Sequence, residues 1–162
     1  MIIIFEKAGI NDLNSLVELR IEYLTEDYQD ISESQIIQIS ERLPSYYHNH
    51  LNKDLFVYVC REKEKIIGCC FLYIMEKTPN PTFVNGITGT VLNVYTRPEY
   101  RKKGIAGKLI KLLLSDSAKM GLDFVELKAT DAGYNLYKSI GFKDVISKYH
   151  NMKIVLDSDN KF

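Results

Sequence analysis

The chain has no surplus of charge, few cysteines and histidines, and no long hydrophobic run, and each shortage removes a class of function. Basic and acidic side chains number 21 each, so no global field marks a nucleic-acid or membrane-surface partner. The three cysteines are an odd set. Cys60, Cys69 and Cys70 lie in apolar, β-favouring segments, and neighbours on a strand point to opposite faces, so Cys69 and Cys70 do not converge on one metal. They are expected as small buried hydrophobes in a reducing compartment. A nucleophilic cysteine needs a histidine or another cation beside it, and no histidine falls in those segments. His48, His50 and His150 are expected at the surface, and no metal site is predicted. Met1-Ile2-Ile3-Ile4-Phe5 is too short for a signal peptide and is interrupted by Glu6-Lys7. No run approaches membrane-spanning length. A soluble, cytoplasmic protein is expected. The first strand is not followed by Gly-x-Gly-x-x-Gly, which argues against a nucleotide-binding α/β protein.

With 162 residues, the chain fits a single domain over 1–156, followed by a polar tail over 157–162. Residues 2–6 suit a first strand. Asn11 can cap a helix whose buried stripe is Leu13, Leu16, Val17, Ile21 and Leu24. Ser32-Glu33-Ser34-Gln35 has the form of a capping box for a second helix, which Pro44 should kink or divide. Leu55–Cys60 and Ile66–Ile74 suit a hairpin across the charged turn Arg61–Lys65. A loop at 78–81 and a turn at Asn85-Gly86 lead to a strand from about Thr88 to Tyr95. A third helix buries Ile105, Leu109, Leu112 and Leu113. Phe124–Lys128 is the next strand, then a short helix over 131–140. Phe142–Ser147 and Met152–Leu156 are expected as a closing antiparallel pair. The order β–α–α–β–β–β–α–β–α–β–β is mixed α/β.

The most informative stretch runs from Val91 to Ala106. A β-favouring segment ends at Pro98, passes a basic turn with a glycine, and enters an amphipathic helix. That order sets free N–H groups and the positive end of a helix dipole just beyond a strand, a junction suited to phosphate or pyrophosphate. Arg101, Lys102 and Lys103 add positive charge there, while Gly104 and Ala106 allow close approach to the main chain. A second stretch, Ala129 to Phe142, suits a short helix capped by Thr130 or Asp131 and stopped by Gly141.

Arg101-Lys102-Lys103-Gly104-Ile105-Ala106 resembles the acyl-CoA signature Arg/Gln-x-x-Gly-x-Gly/Ala of the GNAT N-acetyltransferase superfamily. Leu136-Tyr137-Lys138-Ser139-Ile140-Gly141-Phe142 is similar to its fourth-helix signature, in the expected order after the first. The likeness is tight over about residues 88–150 and architectural before that. It implies a mostly antiparallel central sheet with splayed strands and flanking helices. It also implies acetyl-CoA as acyl donor, with pantetheine along Asn93, Val94, Tyr95 and Thr96. The pyrophosphate would then rest on the N–H groups of residues 101–106, with Thr130 and Tyr137 bordering the cofactor. Many relatives carry asparagine where Thr130 stands and alanine where Gly133 stands.

The implied reaction is direct acyl transfer to a primary amine of a small molecule, amino acid or peptide, without metal. An N–H of Val94 or Tyr95 would polarise the thioester carbonyl. Tyr137, a phenol with an ordinary pKa of roughly 10, would protonate the leaving thiolate, with Tyr134 as its rival. No base is evident: Thr88, Thr90 and Asn93 cannot serve, and Glu76, Glu99 and Asp131 suit a strand end, a loop charge and a helix cap. A water chain delivering the proton to solvent is an equal alternative to these carboxylates. The acceptor pocket is expected from residues 20–50 and 76–88. There Tyr23, Tyr28, Tyr46, Tyr47 and Phe83, with Glu22, Glu26, Asp27 and Asp30, could receive a cationic amine. A homodimer is left open, and a non-catalytic acyl-CoA sensor is the alternative function.

Overall fold

Burial runs almost unbroken along two neighbouring strand segments, 55–62 and 65–76, the pattern of a sheet covered on both faces. The computed structural model describes residues 2–159, so Met1 and the last part of the expected polar tail lie outside the described residues. The strands are β1 (Ile3–Lys7), β2 (Leu55–Glu62), β3 (Lys65–Glu76), β4 (Ile87–Thr96) and β5 (Phe124–Glu126). The helices are α1 (Leu13–Asp27), α2 (Glu33–His50), α3 (Ile105–Lys119) and α4 (Asp131–Ile140). The sheet order is β1-β2-β3-β4-β5. β1 to β4 pair antiparallel, and β5 joins β4 in parallel. This is the mixed, mostly antiparallel sheet expected from the sequence.

Val57, Val59, Cys69 and Phe71 face a core shared with Leu16 and Leu19 of α1 and Tyr47 of α2. Tyr58, Cys60, Cys70 and Leu72 face the opposite core, under Ile105, Leu109 and Leu113 of α3. The two adjacent cysteines therefore part to opposite faces, as a period of two requires. Leu109, Ile110 and Leu113 are fully buried, each stabilising the fold by roughly 1.5–3 kcal/mol.

α2 opens on the expected capping box, with Gln35 N–H donating to Ser32 Oγ at 3.1 Å and Ser32 N–H to Gln35 Oε1 at 2.9 Å. Three local expectations are corrected. Asn11 does not cap α1. It lies in a 3-10 turn, Ile10–Asp12, where the next residue, Asp12, takes the Gly9 N–H at 2.9 Å. Pro44 does not divide α2, which runs unbroken from Glu33 to His50. Leu43, just before Pro44, and Tyr47, one turn beyond Leu43, are both buried, and that packing outweighs the lost backbone bond. Finally, residues 142–157 contain no strand. Their apolar pattern suits one, but a strand needs an edge to pair with. β5 offers only Phe124–Glu126, and Val145, Ile146, Met152 and Leu156 lie exposed.

Candidate active site

β5 accompanies β4 only at Thr88, Gly89 and Thr90. From Val91 to Thr96, β4 runs on with β3 on one side alone. Within that stretch the register slips: Cys69 faces Tyr95 and Phe71 faces Leu92, leaving Cys70 opposite both Asn93 and Val94. This is a β-bulge. Asn93 sits in it with a left-handed φ of 51° and a buried side chain. Arg20 of α1 donates to Asn93 Oδ1 at 2.7 Å, and Asn93 Nδ2 donates to Cys69 Sγ at 3.4 Å. An open strand edge of this kind accepts an extended ligand bearing amides as an added strand.

The chain leaves β4 through a 3-10 turn, Pro98–Tyr100, and reaches α3 through two left-handed residues, Lys102 (φ 59°) and Gly104 (φ 75°). The first α3 bond runs from Lys108 N–H to the Gly104 carbonyl at 3.2 Å, and the N–H groups of residues 102–107 donate to no acceptor among the described residues. Consecutive free N–H groups in a turn, at the positive end of a helix dipole, form a concave anion site. A Cβ built on Gly104 meets nothing within 4 Å, so the space above this cradle is open. Any side chain there would fill it and strain the left-handed backbone. The residues present therefore fit a pyrophosphate.

Arg101 is not a free cation. Its Nε donates to the Thr96 carbonyl at 2.9 Å and its Nη2 to Glu26 Oε2 at 2.6 Å. It ties the end of β4 to α1, and the bond to Glu26 holds its pKa above the ordinary arginine value. Arg97 repeats the arrangement one turn earlier along α1, meeting Glu18 and Glu22 at 3.0 Å each. Burial raises the Glu22 pKa despite the arginine beside it. Glu18, Glu22 and Glu26, four residues apart, thus form one stripe facing the β4 end.

In α4, Thr130 Oγ1 caps the helix by accepting from Gly133 N–H at 3.3 Å. The helix closes on Gly141, with Phe142 N–H returning to the Tyr137 carbonyl at 3.0 Å. Tyr137 borders the α3-side core together with Val94 and Ile105. Burial, then the neighbouring Cys70 and Tyr23, push its phenol pKa up. Tyr134 instead gives its hydroxyl to Asp144 at 2.7 Å. Among the carboxylates weighed as bases, Glu99 pairs with Lys65 at 3.4 Å, while Glu76 and Asp131 are exposed at a strand end and a first helical turn.

The expected acceptor region divides. A cavity of about 320 Å³ between α1 and α2 is lined by Tyr23, Tyr28, Tyr46 and Tyr47. Phe83 is elsewhere, against Phe124 at 6.1 Å. Glu22 and Glu26 are taken by Arg97 and Arg101, and Asp27 accepts from the Tyr23 hydroxyl at 3.3 Å. The cavity's charged lining residue is Arg20, which no sequence motif marks. Arg20 and Asn93 are 73 positions apart, and no local pattern announces their contact.

No cluster of His, Cys, Asp and Glu among the described residues converges to hold a metal, and no helix among them is long and apolar enough to cross a membrane. No curated protein sequence matches the chain. Solved structures do. A predicted acetyltransferase from Clostridium acetobutylicum, crystallised with acetyl-CoA, is 26% identical, with a TM-score of 0.81 over 94% of this chain and 96% of that one. A GCN5-related N-acetyltransferase from Ralstonia eutropha is 21% identical, with a TM-score of 0.77 over 93% and 98%. Glucosamine-6-phosphate N-acetyltransferase from Arabidopsis thaliana is 20% identical, with a TM-score of 0.65 over 97% and 100%. The last two share the fold. The sequence profile of the Acetyltransferase (GNAT) family matches residues 13–142, a span that takes in the open strand, the N–H cradle and the Tyr137 helix. The chain belongs to the GNAT family of acetyltransferases.

Proposed function

We propose that the protein moves an acetyl group from acetyl-CoA directly to the nitrogen of a primary amine. The observation that carries this reading is the row of unclaimed N–H groups at 102–107 beside the open edge of β4. Acetyl-CoA supplies the thioester. The N–H groups of Gly104, Ile105 and Ala106, with Lys102 and Lys103 nearby, hold its pyrophosphate. Arg101 keeps the turn in place through Thr96 and Glu26. The backbone of Asn93, Val94, Tyr95 and Thr96 pairs with the pantetheine amides, and the Thr130 hydroxyl borders the same arm.

The acceptor nitrogen attacks the acyl carbon, so a C–N bond forms as the C–S bond breaks. An N–H of Val94 or Tyr95, turned by the bulge, stabilises the charge developing on the carbonyl oxygen. The amine proton leaves to water, because Glu76 and Asp131 are exposed and Glu99 serves Lys65. The departing sulfur takes a proton from the Tyr137 hydroxyl. A raised pKa keeps that phenol protonated throughout the neutral range. Tyr134 is the weaker choice because its proton is already given to Asp144.

The test is release of CoA thiol from acetyl-CoA across amino acids, peptides, polyamines and aminosugars, with the product identified by mass. Thiol release coupled to an acetylated amine supports the reading. Binding of acetyl-CoA without release against any amine would favour a non-catalytic acyl-CoA sensor.

A further inference from the structure

The cavity between α1 and α2 contains a cation without a carboxylate. Arg61, Arg97 and Arg101 each meet a carboxylate within 3.0 Å. Arg20 pairs with none among the described residues, and its bond is to the neutral Oδ1 of Asn93 at 2.7 Å. One guanidinium N–H is so occupied, and the fork has others to offer. The same cavity is lined by Tyr47. That residue is 1% exposed, and its hydroxyl is buried with no hydrogen-bond partner. An orphaned buried hydroxyl is costly, on the order of 1–3 kcal/mol, and is accounted for when a ligand completes it. Arg20 is close enough to Tyr47 and Tyr46 for its charge to oppose the rise that burial gives both phenols. A cation and a residue with an unclaimed donor thus line one cavity.

We infer that this cavity takes an acceptor amine carrying a carboxylate, as a free amino acid does, with Arg20 and Tyr47 binding the carboxylate. The inference rests on the acetyl-transfer reading above and names its substrate class. Charge selects against a polyamine, because Glu22 and Glu26 are spent on Arg97 and Arg101, Asp27 is bonded by the Tyr23 hydroxyl, and no carboxylate lines the cavity. A single guanidinium and a hydroxyl match a singly charged carboxylate, which arginine grips with two parallel bonds. A phosphate dianion would be left undercompensated. Leu24, Leu43, Leu55 and Phe71 complete the wall, an apolar surface for a side chain. Arg20 also touches Asn93, the residue at the bulge. Carboxylate and amine must therefore be separated by few bonds.

The test compares free proteinogenic amino acids with their methyl esters, with glucosamine 6-phosphate and with spermidine. It reads thiol release from acetyl-CoA, and also the melting shift each compound causes in the CoA-bound protein. The free acid should exceed its ester in kcat/KM by about ten- to a hundredfold, the worth of a charge-assisted bond. Arg20→Met should erase that preference, Arg20→Lys should restore part of it, and Tyr47→Phe should raise KM for the acid more than it lowers kcat. Both Arg20 variants should keep the full melting shift with acetyl-CoA, which shows them folded. Preference for spermidine, for the phosphorylated sugar or for the ester overturns the inference. So does an acid–ester ratio unchanged in Arg20→Met, or no melting shift from any amino acid. Loss of the acetyl-CoA shift in the native protein would instead overturn the acetyl-transfer reading itself.

Discussion

A Cβ on Gly133 would stand 2.8 Å from Tyr137 Cε2, so glycine at 133 is what lets the Tyr137 ring lie against its own helix. The ring also meets Phe142, edge-on at 5.9 Å between centroids. The position of the proposed acid is therefore set by a residue one turn earlier. Gly133→Ala should gain helix stability of about 0.5–1 kcal/mol and lose much of it in displacing the ring, leaving the melting temperature nearly unchanged. Turnover should fall about tenfold, short of the hundredfold that a 1 Å misplacement can cost. An unaltered kcat would mean that the ring position is immaterial to the chemistry.

Removing the hydroxyl itself tests the same group more sharply. Tyr137→Phe should lower turnover about a hundred- to ten-thousandfold, the ordinary range for a general acid, with acetyl-CoA affinity nearly unchanged. A CoA thiol has a pKa similar to that of cysteine, roughly 8.5, so the defect should shrink as pH rises past that value. The native enzyme keeps its phenol protonated there, because its pKa is raised. Tyr134→Phe should leave kcat intact, since that hydroxyl serves Asp144. The reverse pattern in the two variants would move the acid to Tyr134.

Arg101 joins the end of β4 to α1 through Thr96 and Glu26. Arg101→Ala should loosen the turn that presents the N–H cradle, raising KM for acetyl-CoA by roughly tenfold with a smaller change in kcat, the mark of uniform binding. Glu26→Gln should show a weaker form of the same effect. A fall in kcat at unchanged KM would give Arg101 a different role.

The cysteines should be silent in a thiol assay. Cys60, Cys69 and Cys70 are buried, and burial pushes the Cys60 thiol up to about 11 and Cys69 up to about 12. Native protein should react slowly with a thiol reagent at pH 8, and denatured protein should show all three. Their folded pKa values exceed the unfolded one, so their contribution to stability is fully present below about pH 8.5. It is then lost as pH rises toward the folded values, by about 1.4 kcal/mol per unit and per thiol. A rapidly labelled cysteine in the native protein would contradict this.

Much of the candidate site's local geometry is legible in the sequence because its signals are local. The N–H cradle needs only a glycine turn followed at once by a helix, and 98–106 carries both. Thr130 and Gly141 bracket α4 by capping chemistry that spans three or four residues. Contacts across the fold had no such signal. The stripe Glu18, Glu22 and Glu26 has helical spacing, but its partners Arg97 and Arg101 belong to another element. Glu22 and Glu26 taken alone therefore suit an acceptor pocket. The bulge at Asn93 depends on register against β3, and the charge of the cavity depends on Arg20, whose environment α2 and β4 create together. The expected strands after Phe142 failed for a related reason: alternation describes a strand's faces and says nothing of the edge it must join.

The melting temperature in the presence of acetyl-CoA tests most directly whether the cradle at 102–107 holds the pyrophosphate of that ligand. At about a hundred times its dissociation constant, acetyl-CoA should stabilise the native protein by roughly 2.7 kcal/mol. Gly104→Glu fills the open space above the cradle, strains a left-handed residue and sets a negative charge against phosphate, so it should abolish the shift. Gly121→Ala, at another left-handed glycine with nothing within 4 Å of a Cβ, carries comparable backbone strain away from the site and should keep the shift. A native protein that does not respond to millimolar acetyl-CoA, or a Gly104→Glu variant that responds in full, would contradict the account.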